Sequence, residues 1–128
     1  MPRVTHFEIH AEQPQKAAEY YRELFGWKVQ HLPHVDYWLV DTSEGNEPGI
    51  NGGILKRQGP KPLDGQAVNA FVCTVNVSSV DTYFARAQTL GGTVALPKMA
   101  IPGVGWVAYC KDPDGNIFGL HQTDTSAK

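Results

Sequence analysis

The sequence is short of charge, of sulfur and of long apolar runs. Asp, Glu, Lys and Arg make up 19% of 128 residues, and 11 basic against 13 acidic side chains leave a net charge of -2. No basic excess is available to neutralise phosphates, so nucleic acid is not an expected partner. No run approaches the roughly 20 apolar residues that a membrane helix needs. The opening MPRVTHFEIH lacks the apolar stretch of a signal peptide. A cytoplasmic protein without a membrane partner is expected. Cys73 and Cys110 are the only cysteines. They form no Cys-x-x-Cys motif, and each lies in an apolar run, so both read as reduced core thiols. A G-x-S-x-G nucleophile turn is absent. Neither Gly52-Gly53 nor Gly103-x-Gly105 opens a helix, as a phosphate loop would.

What is present is apolar residues at 41%, too many for a disordered chain, together with 13 Gly and 9 Pro. That Gly and Pro content implies many turns and short elements, and argues against a simple helix bundle. Val4 to Ala11 alternates as a strand does: Phe7, Ile9 and Ala11 against His6, Glu8 and His10. Pro14 suits the first turn of a helix, where its missing N–H costs nothing. Ala17, Tyr21, Leu24 and Phe25 then recur at helical spacing, and Gly26 is placed to end the helix in the left-handed conformation. Strands follow at Trp27 to Leu32, Tyr37 to Thr42 and Gly52 to Leu55.

QGPKPLDG, from Gln58 to Gly65, is the clearest connector. After it the order repeats. Ala70 to Val77 reads as a strand, Ser78 with Asp81 as a capping box, and Val80, Phe84, Ala87 and Leu90 as a helical stripe ended by Gly91-Gly92. Strands are expected at Thr93 to Leu96, Gly105 to Cys110 and Asn116 to Gln122. His6 falls on Val72 and Gly26 on Gly92, an offset of 66 residues. The chain thus reads as strand, helix and three strands, twice. Each sheet buries one face on its helix and leaves the other open. Two such open faces around a shared concave space would hold a ligand.

HFEIHAEQPQKAAEYYRELFGW, GINGGIL, VSSVDTYFARAQTLGG and the closing DPDGNIFGLHQ, in this order, resemble the vicinal oxygen chelate superfamily. This is the glyoxalase, bleomycin-resistance and extradiol-dioxygenase group. The resemblance runs from Val4 to about Gln122. It implies an α+β fold of two βαβββ modules around a shared cavity. The chain would be a single domain of residues 1–128, with module 1 at about 4–57, a linker at about 58–67 and module 2 at about 68–122. It also implies a small-molecule ligand and a homodimer.

In metal-using members, ligands come from the first and last strands of each half. Carried over by position, the first-strand ligand falls on His6 and its counterpart on Val72. The acid of the DPDGN-x-x-E pattern falls on Gly119, and GINGGIL offers only Asn51. One ligand of four remains, so no cofactor is expected. A divalent metal held by displaced ligands, His6, Glu8 and His121, is the alternative.

The other expectations concern the sheet faces. His6, Glu8 and His10 share one face of the first strand, and Glu8 or a histidine is the candidate general acid or base. Trp38 and Tyr37 point to opposite sides, as do Trp106 and Tyr109, so one of each pair is core and the other is free to line the cavity. Trp38, Asn51, Met99, Trp106 and His121 are the candidate ligand contacts. Met99 lies in PKMAIPGVGW, Pro97 to Trp106, an apolar loop at a pocket rim or a dimer interface, where Lys98 is the one charge. Three functions follow: a binder or enzyme without the metal quartet, a metal-dependent lyase or dioxygenase with displaced ligands, or an antibiotic-sequestering protein. A net charge of -2 without an acidic run is a poor match for a cationic drug.

Overall fold

The computed structural model describes residues 2–69 and 71–128. It has the expected α+β class: eight strands and two helices, as two βαβββ units. One compact unit is His6–Phe71. The other is Val72–Lys128 with the N-terminal residues up to Thr5.

The first unit contains β1 (Arg3–Ala11) from His6 onward, α1 (Pro14–Phe25), β2 (Lys28–Leu32), β3 (Tyr37–Asp41) and β4 (Asn51–Lys56). Its strand order is β2-β3-β4-β1, with β1 parallel to β4 and the other pairs antiparallel. Pro14 stands at the start of α1. Gly26, at φ 74°, caps its end and donates its N–H to the Arg22 carbonyl at 2.8 Å. Only Gly accepts that φ without a Cβ penalty. The buried helix residues are Pro14 and Ala18, and Ala17 and Tyr21 pack against the same core. Leu24 and Phe25, expected on the buried face, are exposed. Ala18 packs on Phe7, Ile9, Trp38, Val40 and Ile54, the alternate residues of β1, β3 and β4. The period-2 pattern therefore sends one set of side chains to the helix and leaves His6, Glu8 and His10 on the open face.

The second unit contains β5 (Val72–Asn76), α2 (Val80–Thr89), β6 (Thr93–Ile101), β7 (Gly105–Lys111) and β8 (Ile117–Thr123). Its order is β5-β8-β7-β6, with β5 parallel to β8. The strand expected from Ala70 starts at Val72, and Ala70 lies outside the described residues. The N-cap of α2 is Ser79, whose hydroxyl accepts from the Thr82 N–H at 3.2 Å, not Ser78. The helix packs Val80, Phe84 and Ala87 on Val77, Ala108, Cys110 and Leu120, while Leu90 is exposed. Cys110 is buried as expected, but Cys73 is exposed.

The Met99 segment is a strand, not a loop. β6 continues through Ile101, and only a short turn before Gly105 separates it from β7. Register shifts interrupt its ladder between Val94 and Leu96 and between Leu96 and Met99. An edge strand with such a break tolerates Pro97, which has no N–H to donate.

Candidate functional site

The open face of the first unit is assembled by register. β1 pairs with β4 so that His6 meets Asn51, Glu8 meets Gly53 and His10 meets Leu55. β3 pairs with β4 through Leu39 and Gly53, which puts Tyr37, two residues from Leu39, on the same face. The Tyr37 hydroxyl donates to Glu8 Oε2 at 2.9 Å and lies 2.9 Å from His6 Nε2. Glu8 is buried at 8% exposure, and His6 and Tyr37 are half-buried.

Counting hydrogens fixes the direction of this chain. A phenol has one hydrogen, and here it goes to Glu8. The contact with His6 then requires the imidazole to donate, with its proton on Nε2. The order is His6 N–H to Tyr37 oxygen, and Tyr37 O–H to Glu8 carboxylate. Burial lowers the His6 pKa below its ordinary value, against a smaller opposing effect of the Glu8 charge. The neutral imidazole is thereby favoured.

This has a consequence for stability. Because folding lowers the His6 pKa, the unfolded chain takes up this proton first as pH falls. The His6 contribution is complete above the ordinary value of 6.5 and is lost as pH drops below it through the folded value. The stability of the wild type relative to His6→Gln should therefore shrink below about pH 6.5. Urea unfolding of both proteins across the acid range measures this, and a constant difference would refute it.

The expected ligand contacts are placed differently from one another. Trp38 is core: 8% exposed, on the helix side, and stacked on His31 with ring centroids 4.2 Å apart. Trp106 is likewise on the helix side of its sheet, donating Nε1–H to Asp124 at 2.9 Å. Of each aromatic pair the tryptophan is the packing residue, and the tyrosine takes the open face. Asn51 accepts from the Thr42 N–H at 3.0 Å and pins the ends of β3 and β4. Lys98 is held by Asp81 at 3.0 Å and lies 4.6 Å over the Trp106 ring. His10 shares the face of Glu8 but is not part of the Tyr37 chain. Met99 pairs with Val107 across the β6–β7 ladder.

His121 belongs to the second unit. It stands on the face of Gly119, with Nδ1 3.4 Å from Asn76 Oδ1. Among the described residues, no three His, Cys, Asp or Glu side chains form a group that could hold a metal ion. Carried over by position, the family ligand positions hold an imidazole at His6, an isopropyl group at Val72 and no side chain at Gly53 or Gly119. The His6 imidazole is the one strong transition-metal ligand in that set.

Sequence reasoning placed Tyr37 only as one of an undecided pair, and it missed Gly53. A Cβ at Gly53 would overlap the Tyr37 phenol. The available signal was a glycine inside a strand, which marks the close approach of another group.

Comparison with known proteins agrees with this architecture. The glyoxalase-like domain family matches residues 6–121. No curated protein matches the sequence. A glyoxalase/bleomycin resistance protein/dioxygenase superfamily member from Vibrio splendidus 12B01 superposes with a TM-score of 0.64 at 13% identity, over 97% of this chain and 100% of that one. Methylmalonyl-CoA epimerase in complex with methylmalonyl-CoA and NH4+ gives 0.65 at 14% identity, over 100% and 99%. A Streptomyces coelicolor methylmalonyl-CoA epimerase variant with 2-nitronate-propionyl-CoA gives 0.62 at 15% identity, over 98% and 97%. At these identities the likeness is one of fold. With the family match over almost the whole length, the chain belongs to the glyoxalase-like domain family, within the vicinal oxygen chelate superfamily.

Proposed function

We propose that the protein binds a small carbonyl compound on the open face of its first unit and moves a proton at the carbon next to the carbonyl, without a metal ion. The observation that carries this reading is the Tyr37 phenol hydrogen-bonded to both Glu8 and His6. A carboxylate beside a phenol supplies the two groups such a step needs. Glu8 takes the proton from carbon, and the electron pair of the C–H bond moves onto the carbonyl oxygen. Once Glu8 carries the proton, it no longer competes for the Tyr37 hydrogen, which turns to the new oxyanion. The His6 N–H, donating to the phenol oxygen, supports any negative charge that develops there. Exchange follows when the proton on Glu8 swaps with solvent before returning to the carbon, and epimerisation when the planar enolate turns its other face to Glu8 before the proton returns. Both epimerase structures compared above share the fold.

The test is exchange of carbon-bound protons in D2O, followed by NMR, with methylmalonyl-CoA and a set of small 2-oxo acids. Exchange is expected for at least one compound. Exchange with none of them would overturn the reading. Elemental analysis of the purified protein is expected to give far less than one transition metal per chain. About one Zn, Ni, Mn or Fe per chain, lost in His6→Ala, would replace this reading with a metal-dependent lyase or dioxygenase. We also propose that the protein acts in the cytoplasm as a homodimer; light scattering after size exclusion tests its assembly.

A further inference from the structure

The open face of the first unit has a second polar end. Along β4, Gly53 lies against Tyr37 and pairs with Glu8, Leu55 pairs with His10, and Arg57 follows two residues later. Side chains two apart on a strand share a face, and Ile54, between Gly53 and Leu55, belongs to the helix-side core. Pairing with β1 continues past the end of β4, because the Arg57 N–H donates to the Ala11 carbonyl at 2.9 Å. The face therefore runs from the His6–Tyr37–Glu8 chain, past half-buried Leu55, to a guanidinium. Leu39, opposite Gly53 on the other side, adds a second exposed apolar side chain.

The guanidinium reaches back toward that chain. Arg57 Nη2 donates to the His10 carbonyl at 3.2 Å. The positive charge is thereby held at the level of His10, two residues from Glu8, a step of about 6.5–7 Å along β1. A guanidinium has five N–H donors in a fixed fork, and this bond uses one of them. Among the described residues, no acidic side chain pairs with Arg57 and no side chain hydrogen-bonds the His10 imidazole. The imidazole stands on the face of Glu8 and has at least one N–H to donate in either protonation state. Both groups are half-buried.

We infer that Arg57 and His10 hold a carboxylate of the substrate, which makes the ligand an oxo acid with a short aliphatic chain between ketone and carboxylate. The reacting carbon meets Glu8, the methylene groups lie on Leu55, and the carboxylate takes N–H donors of the guanidinium fork beside the imidazole. The planar fork matches a carboxylate with two parallel bonds. Its positive charge offsets the repulsion that Glu8 exerts on an anionic ligand, and the single charge of a carboxylate is the one it balances. The inference rests on the proton-transfer reading above and adds the substrate class.

Two measurements on the full chain test it. Levulinate and methyl levulinate carry the same ketone and differ in the charge. Exchange of their carbon-bound protons in D2O should favour the acid in kcat/KM by about tenfold or more, and the ratio should fall toward unity in Arg57→Ala. Equal rates for acid and ester in the wild type would overturn the inference and leave the proton-transfer step standing. Binding is read apart from reaction with protein carrying 15N in its histidines, the His10 signal being identified by its loss in His10→Gln. Levulinate should shift that signal saturably, with affinity about tenfold or more weaker in Arg57→Ala. Should Arg57→Ala not fold, Arg57→Lys replaces it, keeping the charge without the fork, and weaker binding is again expected. An unmoved His10 signal would overturn the inference, as would equal affinity in the Arg57 variants or tighter binding of inorganic phosphate than of levulinate. Binding that depends on Arg57, without any proton exchange, would overturn the proposed reaction and leave this inference standing.

Discussion

Replacing Glu8 by Gln is expected to slow carbon–proton exchange by about 10²–10⁴-fold, the usual contribution of a positioned general base. The substitution is a clean one for physical reasons. The Gln carbonyl oxygen can still accept the Tyr37 hydrogen that Glu8 Oε2 now accepts at 2.9 Å. Volume and packing against the neighbouring strands are nearly unchanged. What is lost is the negative charge and the ability to take up a proton. Glu8 is buried, and a buried charge carries a desolvation cost that a neutral amide avoids. Stability should therefore hold or rise while exchange collapses. Loss of both together would mean that Glu8 is structural. Retention of exchange would remove it from the chemistry.

The largest loss of stability is expected at Ile54. Its side chain is fully buried and packs with Phe7, Ile9, Ala18, Trp38 and Val40. Trimming it to Ala removes three carbons from the middle of the helix-side core, and the sheet above cannot collapse to refill the gap. The cost should be about 2–5 kcal/mol, a large part of the roughly 5–15 kcal/mol that holds a domain folded. Urea unfolding followed by tryptophan fluorescence reads the change directly, because Trp38 is the cross-strand partner of Ile54. Ile54→Val should cost about 0.5–1.5 kcal/mol. A loss below about 1 kcal/mol for Ile54→Ala would contradict the packing described. Ile54 is also the strand neighbour of Gly53, so the floor of the Tyr37 site rests on this core.

The order of elements is legible in the sequence because its signals are local. Pro14 and Gly26 mark the ends of α1, and the alternation around Phe7 and Ile9 separates the helix side of β1 from the open face. The placement of His6 and Glu8 on that face follows from the same alternation. Three other features depend on distant contacts. Tyr37 and Trp38 differ by one residue, and only the register of β3 on β4 decides which of them meets Glu8. Trp38 and Trp106, expected beside a ligand, are drawn to the helix side, where large aromatic area is best buried. Pro97 reads as a break in the chain, yet β6 runs past it because an outer strand has no neighbour waiting for the missing N–H. Ser78 and Ser79 are equivalent caps on paper, and the first turn of α2 selects Ser79.

The interrupted ladder of β6 also bears on how the protein behaves when crowded. The strand carries exposed Val94, Leu96, Met99 and Ile101 along its length. An apolar outer strand of nine residues is the kind of surface on which other chains add by main-chain pairing. Two register shifts and a proline deny it a continuous row of donors and acceptors. An incoming strand finds no straight template. The irregularities that made the second half of β6 read as a loop also make so apolar a border a poor template for added strands.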